Sequence, residues 1–388
     1  MEIALCYESV RPERGGAETY IADLMRRLAV DGHGLHLYAS EWDAEALPAS
    51  TIFHRVPAPR GPRWLRPWRF GRACLAELAH GRHDVSIGFN KTWGQNILYP
   101  QGGLHAASSD HNLRKHRTSA MRILAAAARR LDLANWSYAL LERRQYLTGK
   151  RPLIIVNSEM VRAHFGYYYG IPPRDIRVVH SAIDPGRLGD DDRLRQRAAW
   201  RERWSLAPDD VVGLFIGINY RLKGLEPLLR AVRHVKSGQF RLLIAGAADY
   251  RRWQGLANRL GISSQVRFVG HVSPSRYCFF ASDFLIHPTF YDPCSLVVLE
   301  AQAAALPVIT SRYNGAQELM TPPHDGYVVD KPHDALHLAW CIDQLCDPLR
   351  RAGCSQVSRR KAGHWTFEHH YHALVAIMHE TAGQRAAA

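Results

Sequence analysis

Two doubly wound α/β domains, each built on a parallel sheet, are predicted by three observations. Short β-branched runs alternate with helix-length amphipathic stretches from the first residue onward. The alternation breaks once, at the Asp- and Arg-rich segment 184–195 that contains Pro185 and Gly186, and then resumes. The 388 residues, at about 100 to 200 per domain, supply enough chain for two cores.

Taken in order, the strands of the first half are expected at 2–8, 35–39, 52–56, 84–88, 96–100, 153–157 and 177–180. Those of the second half are expected at 211–217, 240–246, 266–269, 284–288, 307–311 and 326–329. Helices are expected at 18–30 and 296–305, where apolar residues recur every three to four positions. The domains are placed at 1–185 and 186–363, with a helix in 364–388 packing back on the first domain and a frayed end after Gln384. Two such domains are expected to face each other across a cleft at the carboxyl ends of both sheets.

Composition narrows the class. Hydrophobic residues make up 46% and charged residues 22%, which excludes a disordered chain. Residues 1–6 read as a first strand and not as a signal peptide, and the apolar stretch 123–131 is too short and too basic to span a membrane. Seven scattered cysteines without paired spacing point to reduced thiols and a cytoplasmic protein.

The net charge of +14 is concentrated: residues 55–151 hold 18 Lys and Arg against 5 Asp and Glu, or +13. Within it Arg60, Arg63, Arg66, Arg69 and Arg72 interleave with Trp64, Trp68 and Phe70. That combination suits an anionic membrane surface or nucleic acid, and equally a solvated basic loop.

Three motifs carry chemistry. Gly15 and Gly16 follow the first strand and precede a helix, where bare backbone and unpaired amides can meet a phosphate. No G-x-G-x-x-G follows a strand, which disfavours a nicotinamide dehydrogenase. After the strand 211–217, Arg221 and Lys223 ahead of Gly224 form a cationic clamp for a diphosphate leaving group. In the segment 287–301, Asp292 and Pro293 read as the N-cap and first residue of a helix whose free amides lie near Ser295 and Leu296. Glu300, two turns on, would stand roughly 12 Å along the axis, so the two carboxylates would bracket an elongated ligand.

Gly15-Gly16, Arg221-x-Lys223-Gly224 and Asp292 with seven residues to Glu300 resemble glycosyltransferase family 4, retaining nucleotide-sugar enzymes of the GT-B fold. The resemblance spans nearly the whole chain. Gly88-Phe89-Asn90-Lys91 and the basic first domain are most similar to bacterial lipopolysaccharide-core hexosyltransferases.

The resemblance implies an acceptor-binding first domain and a second domain that binds the nucleotide sugar, with a UDP-sugar as the expected donor. Gly16 would contact the donor phosphate or sugar, with Gly15 beside it. Arg221 and Lys223 would steady the departing diphosphate, helped by Cys294, Ser295 and Leu296 at the helix start. Glu300 would hold the ribose and Asp292 would stand by the donor sugar, although the family has Glu at that position and Asp292 is one methylene shorter. His105, within Gln101-Gly102-Gly103-Leu104-His105, is the first-domain catalytic candidate. Pro307 and 314–318 look like a further family stretch near the nucleotide.

By the same resemblance the anomeric configuration is retained and neither metal nor cofactor is needed. The acceptor would be a glycan or glycolipid, at the cytoplasmic face of the inner membrane, reached with the help of Trp64, Trp68 and Phe70. The alternatives are a nucleotide-sugar epimerase or hydrolase of the same fold and a basic nucleic-acid-binding protein.

Other features carry less. Asp190, Asp191 and Asp192 lie in the linker and not at a strand end, away from where a cation site is expected. Of His364, His369, His370 and His372, only His369 and His372 share a helix face, too few for zinc. Cys294 at a helix start lacks a base and is not expected to act as a nucleophile.

Overall fold

The computed structural model describes every residue except Pro59, Lys150, Gly189–Asp191 and Ala387–Ala388. Two compact units result: Met1–His180 with His370–Ala388, and Ser181–His369.

The first unit runs β1 (Glu2–Cys6), β2 (Ser9–Val10), α1 (Gly16–Val30), β3 (Gly34–Ala39), β4 (Glu41–Trp42), β5 (Ile52–Arg55), α2 (Arg66–Leu78), β6 (Val85–Gly88) and β7 (Ile97–Leu98). It continues through α3 (His105–Arg114), α4 (Ser119–Arg130), α5 (Leu133–Leu147), β8 (Leu153–Val156), α6 (Glu159–Tyr169) and β9 (Ile176–Val178). Seven strands form one sheet in the order β5-β3-β1-β6-β7-β8-β9, and β2 pairs with β4 beside it.

The second unit runs α7 (Arg193–Arg203), β10 (Val211–Gly217), α8 (Leu225–Val232), β11 (Phe240–Gly246), α9 (Arg251–Leu260), β12 (Val266–Gly270), α10 (Arg276–Ala281) and β13 (Phe284–His287). It continues through α11 (Leu296–Ala303), β14 (Val308–Ser311), β15 (Gly326–Val329), α12 (Ala335–Cys346) and α13 (Pro348–Ala362). Its six strands are ordered β12-β11-β10-β13-β14-β15. Strand pairing is parallel throughout both sheets, as connections through helices require.

The expected strands all coincide with observed ones, because the central ones are apolar runs bounded by turn residues and covered on both faces, while the edge strands β5 and β9 are shown by their β-branched residues despite being partly exposed. Both faces of the second sheet are packed, one against α8, α9 and α12 through residues such as Phe215, Leu228 and Ile342, the other against α10 and α11 through Leu214, Phe279 and Val298. The two-residue pair β2 and β4 is too short to show in the sequence pattern.

The last helix, α14 (Phe367–Ala386), carries the chain from the second unit into the first. Residues 181–185, expected to close the first domain, belong to the second unit: Ile183 bridges Thr366, and the Ile183 carbonyl accepts the Phe367 N–H at 3.0 Å. Beyond His369 the helix packs within the first unit by burying Tyr371, Leu374 and Met378, spaced three and four apart, and Tyr371 OH donates to Asp31 at 2.6 Å. His370 is buried here too. Its Nδ1–H donates to the His180 carbonyl at 2.7 Å, so its Nε2 accepts from Tyr20 OH at 2.6 Å. This histidine is thus committed to the core and not to a metal.

Burial lowers the His370 pKa to about 4, so the unfolded chain takes up a proton near pH 6.5 that the folded chain refuses. Stability therefore falls as the pH drops from about 6.5 to about 4, by about 3 kcal/mol in all. A pH series of thermal unfolding should show this slope reduced in His370→Gln. Gly224 has φ of +86°, and a Cβ there would lie 2.1 Å from the Pro288 carbonyl oxygen. Gly224→Ala should cost about 3 kcal/mol, read as a lowered melting temperature.

Candidate functional site

In each sheet the strand order reverses at one place, and ligands of open α/β sheets bind beyond the strand ends there. In the second sheet the reversal falls between β10 and β13, in the first between β1 and β6. Chemistry-bearing residues follow all four of these strands.

In the second unit the loop after β10 and the segment after β13 are stitched together. The Leu222 carbonyl accepts from Phe290 N at 2.9 Å and from Thr289 Oγ1 at 3.2 Å. Asn219 shapes the loop by accepting the Leu222 N–H at Oδ1 (3.1 Å) and the Lys223 N–H at its carbonyl (2.9 Å). This directs Lys223 Nζ onto the carboxylate of Asp292, with which it forms an ion pair. Arg221 lies half-buried two residues before.

Asp292 is buried, which by itself would raise its pKa. The Lys223 charge and the nearby His287 ring outweigh burial, and the carboxyl is held well below the usual carboxylate range. His287, at the end of β13, places Nε2 3.6 Å from Asp292 Oδ2 and 3.5 Å from Ser295 Oγ. Burial lowers its pKa, so the ring is neutral at pH 7.

Several expectations are corrected. Asp292 is not a helix N-cap and Pro293 does not open the helix, because α11 starts at Leu296 with Ser295 as its cap. Asp292 instead pairs in extended form with Asn314: its N–H donates to the Tyr313 carbonyl and its carbonyl accepts from Gly315 N, both at 2.9 Å. The lysine charge takes the carboxylate that local capping rules assign to backbone amides. Glu300 is accordingly half-buried about 6 Å beyond the helix start, not 12 Å along a helix from Asp292. The Ser295 amide is bound to Asn314 Oδ1 at 3.1 Å and the Val298 amide to the Ser295 carbonyl at 3.2 Å, leaving Leu296 and Val297 as the first-turn donors. Cys294 packs in the core, and burial pushes its thiol up to about 12, so its side chain is neither nucleophile nor anion ligand.

Sequence reasoning missed the roles of His287 and Asn314. The fully buried Asn314 also accepts the Ala316 amide and donates to Thr310 Oγ1, bracing this corner. A histidine ending an apolar strand was the available signal.

In the first unit Gly16 begins α1 and Gly15 precedes it in an extended conformation that any residue adopts. A Cβ at Gly15 would meet the Glu18 carboxylate at 3.0 Å, so an acid already stands beside this helix start. A cavity of about 210 Å³ opens beyond β1 and β6, lined by Tyr7, Glu8, Glu18, Asn90, Lys91 and Thr92 among others. A second, of about 230 Å³, also touches Asn90 and Lys91 and reaches His105, Tyr138 and Glu142. Lys91 Nζ sits 4.0 Å over the Tyr138 ring.

His105 is the first residue of α3. The Glu142 carboxylate caps that helix, taking the amides of His105 and, at 3.0 Å, of Ala106, together with Tyr169 OH at 2.6 Å. The His105 ring donates from Nε2 to Asn135 Oδ1 at 3.1 Å, and burial lowers its pKa below the usual histidine value. A neutral imidazole therefore lines the cavity.

The aromatic group in the basic stretch divides. Phe70 is core, and Trp68 is half-buried with Nε1 donating to Ser137 Oγ at 2.9 Å, which leaves only Trp64 exposed. Asp190 and Asp191 lie outside the described residues. Among the described residues no group of three or more His, Cys, Asp and Glu is placed to hold a metal.

Two Rossmann-like units, each with its strand order reversing once, have the architecture of the GT-B glycosyltransferases. The family follows from the sequence comparison: residues 14–187 match the family model "Glycosyltransferase Family 4" and residues 210–347 the model "Glycosyl transferases group 1", and the chain belongs to this group 1/family 4 class.

The lipopolysaccharide glucosyltransferase WaaG of Escherichia coli K12 is 22% identical over 91% of this chain and 89% of its own. A solved structure of WaaG, a glycosyltransferase involved in lipopolysaccharide biosynthesis, superposes with a TM-score of 0.77 over 93% of this chain and 95% of that one, at 22% identity. Anabaena HepE, solved in complex with UDP-glucose, gives 0.68 over the full length of both chains at 18% identity. These relatives favour a glycosyltransferase over an epimerase or a nucleic-acid-binding protein.

Asp292→Asn should leave Lys223 without its counter-charge. Breaking a buried pair costs about 3–5 kcal/mol, and because 23% of the Lys223 side chain is exposed the expected loss is about 2 kcal/mol. The depressed carboxyl pKa places this contribution fully above the unfolded value near pH 4, and it fades as the pH falls below that toward the folded pKa. Denaturation at pH 7 and pH 3 should thus separate variant from wild type more widely at pH 7.

Proposed function

We propose that this glycosyltransferase moves a hexose from a UDP-sugar to a glycolipid or lipopolysaccharide-type acceptor with retention of anomeric configuration and without a metal. The observation that carries this reading is the Lys223–Asp292 pair, set with Arg221 and the start of α11 at the switch point of the second sheet. A diphosphate arriving there competes with Asp292 for Lys223, and Arg221 and the first-turn amides of α11 add the positive charge that a metal would otherwise supply. Glu300 holds the ribose hydroxyls.

The sugar C1–O bond to the diphosphate breaks while a C1–O bond to the acceptor hydroxyl forms on the same face. The hydroxyl proton leaves with the departing phosphate oxygen. In the first unit, Gly15, Gly16 and His105 attend the donor sugar, and the cavities at Lys91 receive the acceptor. The complex of a relative with UDP-glucose supports the choice of donor, and the name of WaaG supports the class of acceptor.

Association with an anionic membrane face is part of the same reading. No helix among the described residues is long and apolar enough to cross a membrane. Peripheral contact is supported by α4, which has no buried residue and exposes Ile123, Leu124 and, just past its end, Leu131 beside Arg122 and Arg130.

The test is thermal unfolding with UDP and UDP-sugars in the presence of a chelator. Wild type should gain about 2.7 kcal/mol at 100 times the dissociation constant. Arg221→Ala and Glu300→Ala should lose most of the shift, and a shift intact in both variants refutes the site. Proton NMR of the product reads the anomeric configuration directly.

A further inference from the structure

Away from the switch point, at the opposite ends of β7 and β8, the first unit holds two cavities of about 450 and 800 Å³ that share Leu75, Trp93 and Arg144. They form one groove between α2 and α5. Its floor is aromatic: the Trp68 and Trp93 rings stand 5.7 Å apart, and Trp93 lies flat on α2 at Gly71, where a Cβ would come within 2.2 Å of the ring. Its walls are cationic, with Arg69, Arg72, Arg144 and Arg151, and among the described lining residues none is acidic.

The four arginines differ in availability. Arg151 is paired with Asp175 at 3.0 Å and Arg69 donates to the Arg60 carbonyl at 2.6 Å. The guanidinium groups of Arg72 and Arg144 have no hydrogen-bond or ion-pair partner among the described residues. Two unneutralised guanidinium groups facing one groove are a receptor for a phosphate ester, which guanidinium binds through paired N–H donors.

What else the ligand carries is read from α5. Leu133, Trp136, Leu140, Arg144 and Leu147 are spaced three or four apart and so share one helix face. The four apolar members are 67%, 56%, 56% and 41% exposed. An exposed apolar stripe thus runs directly into the arginine groove, and an occupant that satisfies both has an anionic head on a hydrocarbon body.

We propose that the groove between α2 and α5 is a binding site for the phosphate headgroup of an anionic bilayer lipid, held by Arg72 and Arg144 over the Trp68–Trp93 floor, with the α5 stripe in the acyl region. The site rests on the membrane-associated reading above and gives it a defined anchor, separate from the donor site.

Flotation of the full chain with vesicles of phosphatidylglycerol and phosphatidylcholine tests it. Each basic side chain at an anionic leaflet strengthens partitioning about fivefold, so Arg72→Ala with Arg144→Ala should weaken it about twenty-five-fold. The pair Arg82→Ala with Arg259→Ala removes the same net charge elsewhere and should weaken it less than about threefold. Leu140→Asp should also release the protein, and the UDP thermal shift should be unchanged in all these variants.

Equal losses in the two arginine pairs overturn the headgroup site and leave membrane association standing. Absence of wild-type binding to phosphatidylglycerol vesicles overturns both. Vesicle binding unchanged in the Arg72→Ala, Arg144→Ala pair, together with a thermal shift by millimolar inorganic phosphate that the pair abolishes, assigns the groove to free phosphate and overturns the lipid.

Discussion

A carboxylate withdrawn from water requires a counter-charge, and in this protein the counter-charge of Asp292 comes from a residue 69 positions earlier in the chain. The pairing with Lys223 demands that the loop after β10 lie against the segment after β13. Parallel neighbours in a doubly wound sheet provide that adjacency, and the reversal of strand order leaves open space above it. Gly224 permits the close approach to Pro288, Asn219 folds the loop so that Lys223 turns inward, and Asn314 fixes the far side of the Asp292 segment. The arrangement of the second unit's site is the set of backbone conditions under which one buried ion pair can form.

What the sequence disclosed and what it concealed divide along the range of the interaction. Strands such as Val211–Gly217 and Phe284–His287 are legible because a fully covered strand must be a continuous apolar run, a property of neighbouring residues alone. Residue types at the switch point were legible for the same reason, since they follow those runs directly. Asp292 reads as a helix cap because Asp-Pro is a strong local signal, but leaving a buried charge unpaired costs more than leaving a helix start uncapped. Local rules contain no term for a lysine that arrives through the fold. His105 shows the same limit: its helix start is occupied by Glu142, 37 residues away.

The basic stretch is a related case. Arginine and tryptophan interleaved along the chain do not stay interleaved in space. Phe70 enters the core and Trp68 is tied to Ser137, while Arg72, two residues beyond Phe70 on α2, faces the groove. A helix of 3.6 residues per turn sorts residues only a few positions apart onto different faces, so the composition located the charge and the periodicity decided which aromatics accompany it.

The exposed apolar surface of α4 bears on why this region is ordered at all. A twelve-residue helix is marginal in water on propensity alone, and α4 buries no residue to compensate. It is held by its termini: Thr118 Oγ1 accepts the Met121 N–H, Arg122 donates to the His116 carbonyl, and Arg129 donates to Ser109 Oγ. Polar tethers orient a helix without covering its apolar face. Water contact with Ile123, Leu124 and Leu131 is then a standing free-energy cost, relieved when an apolar phase takes the place of water on that side. On the membrane-associated reading proposed above, the surrounding arginines, which no burial requires, would select an anionic phase over a neutral one.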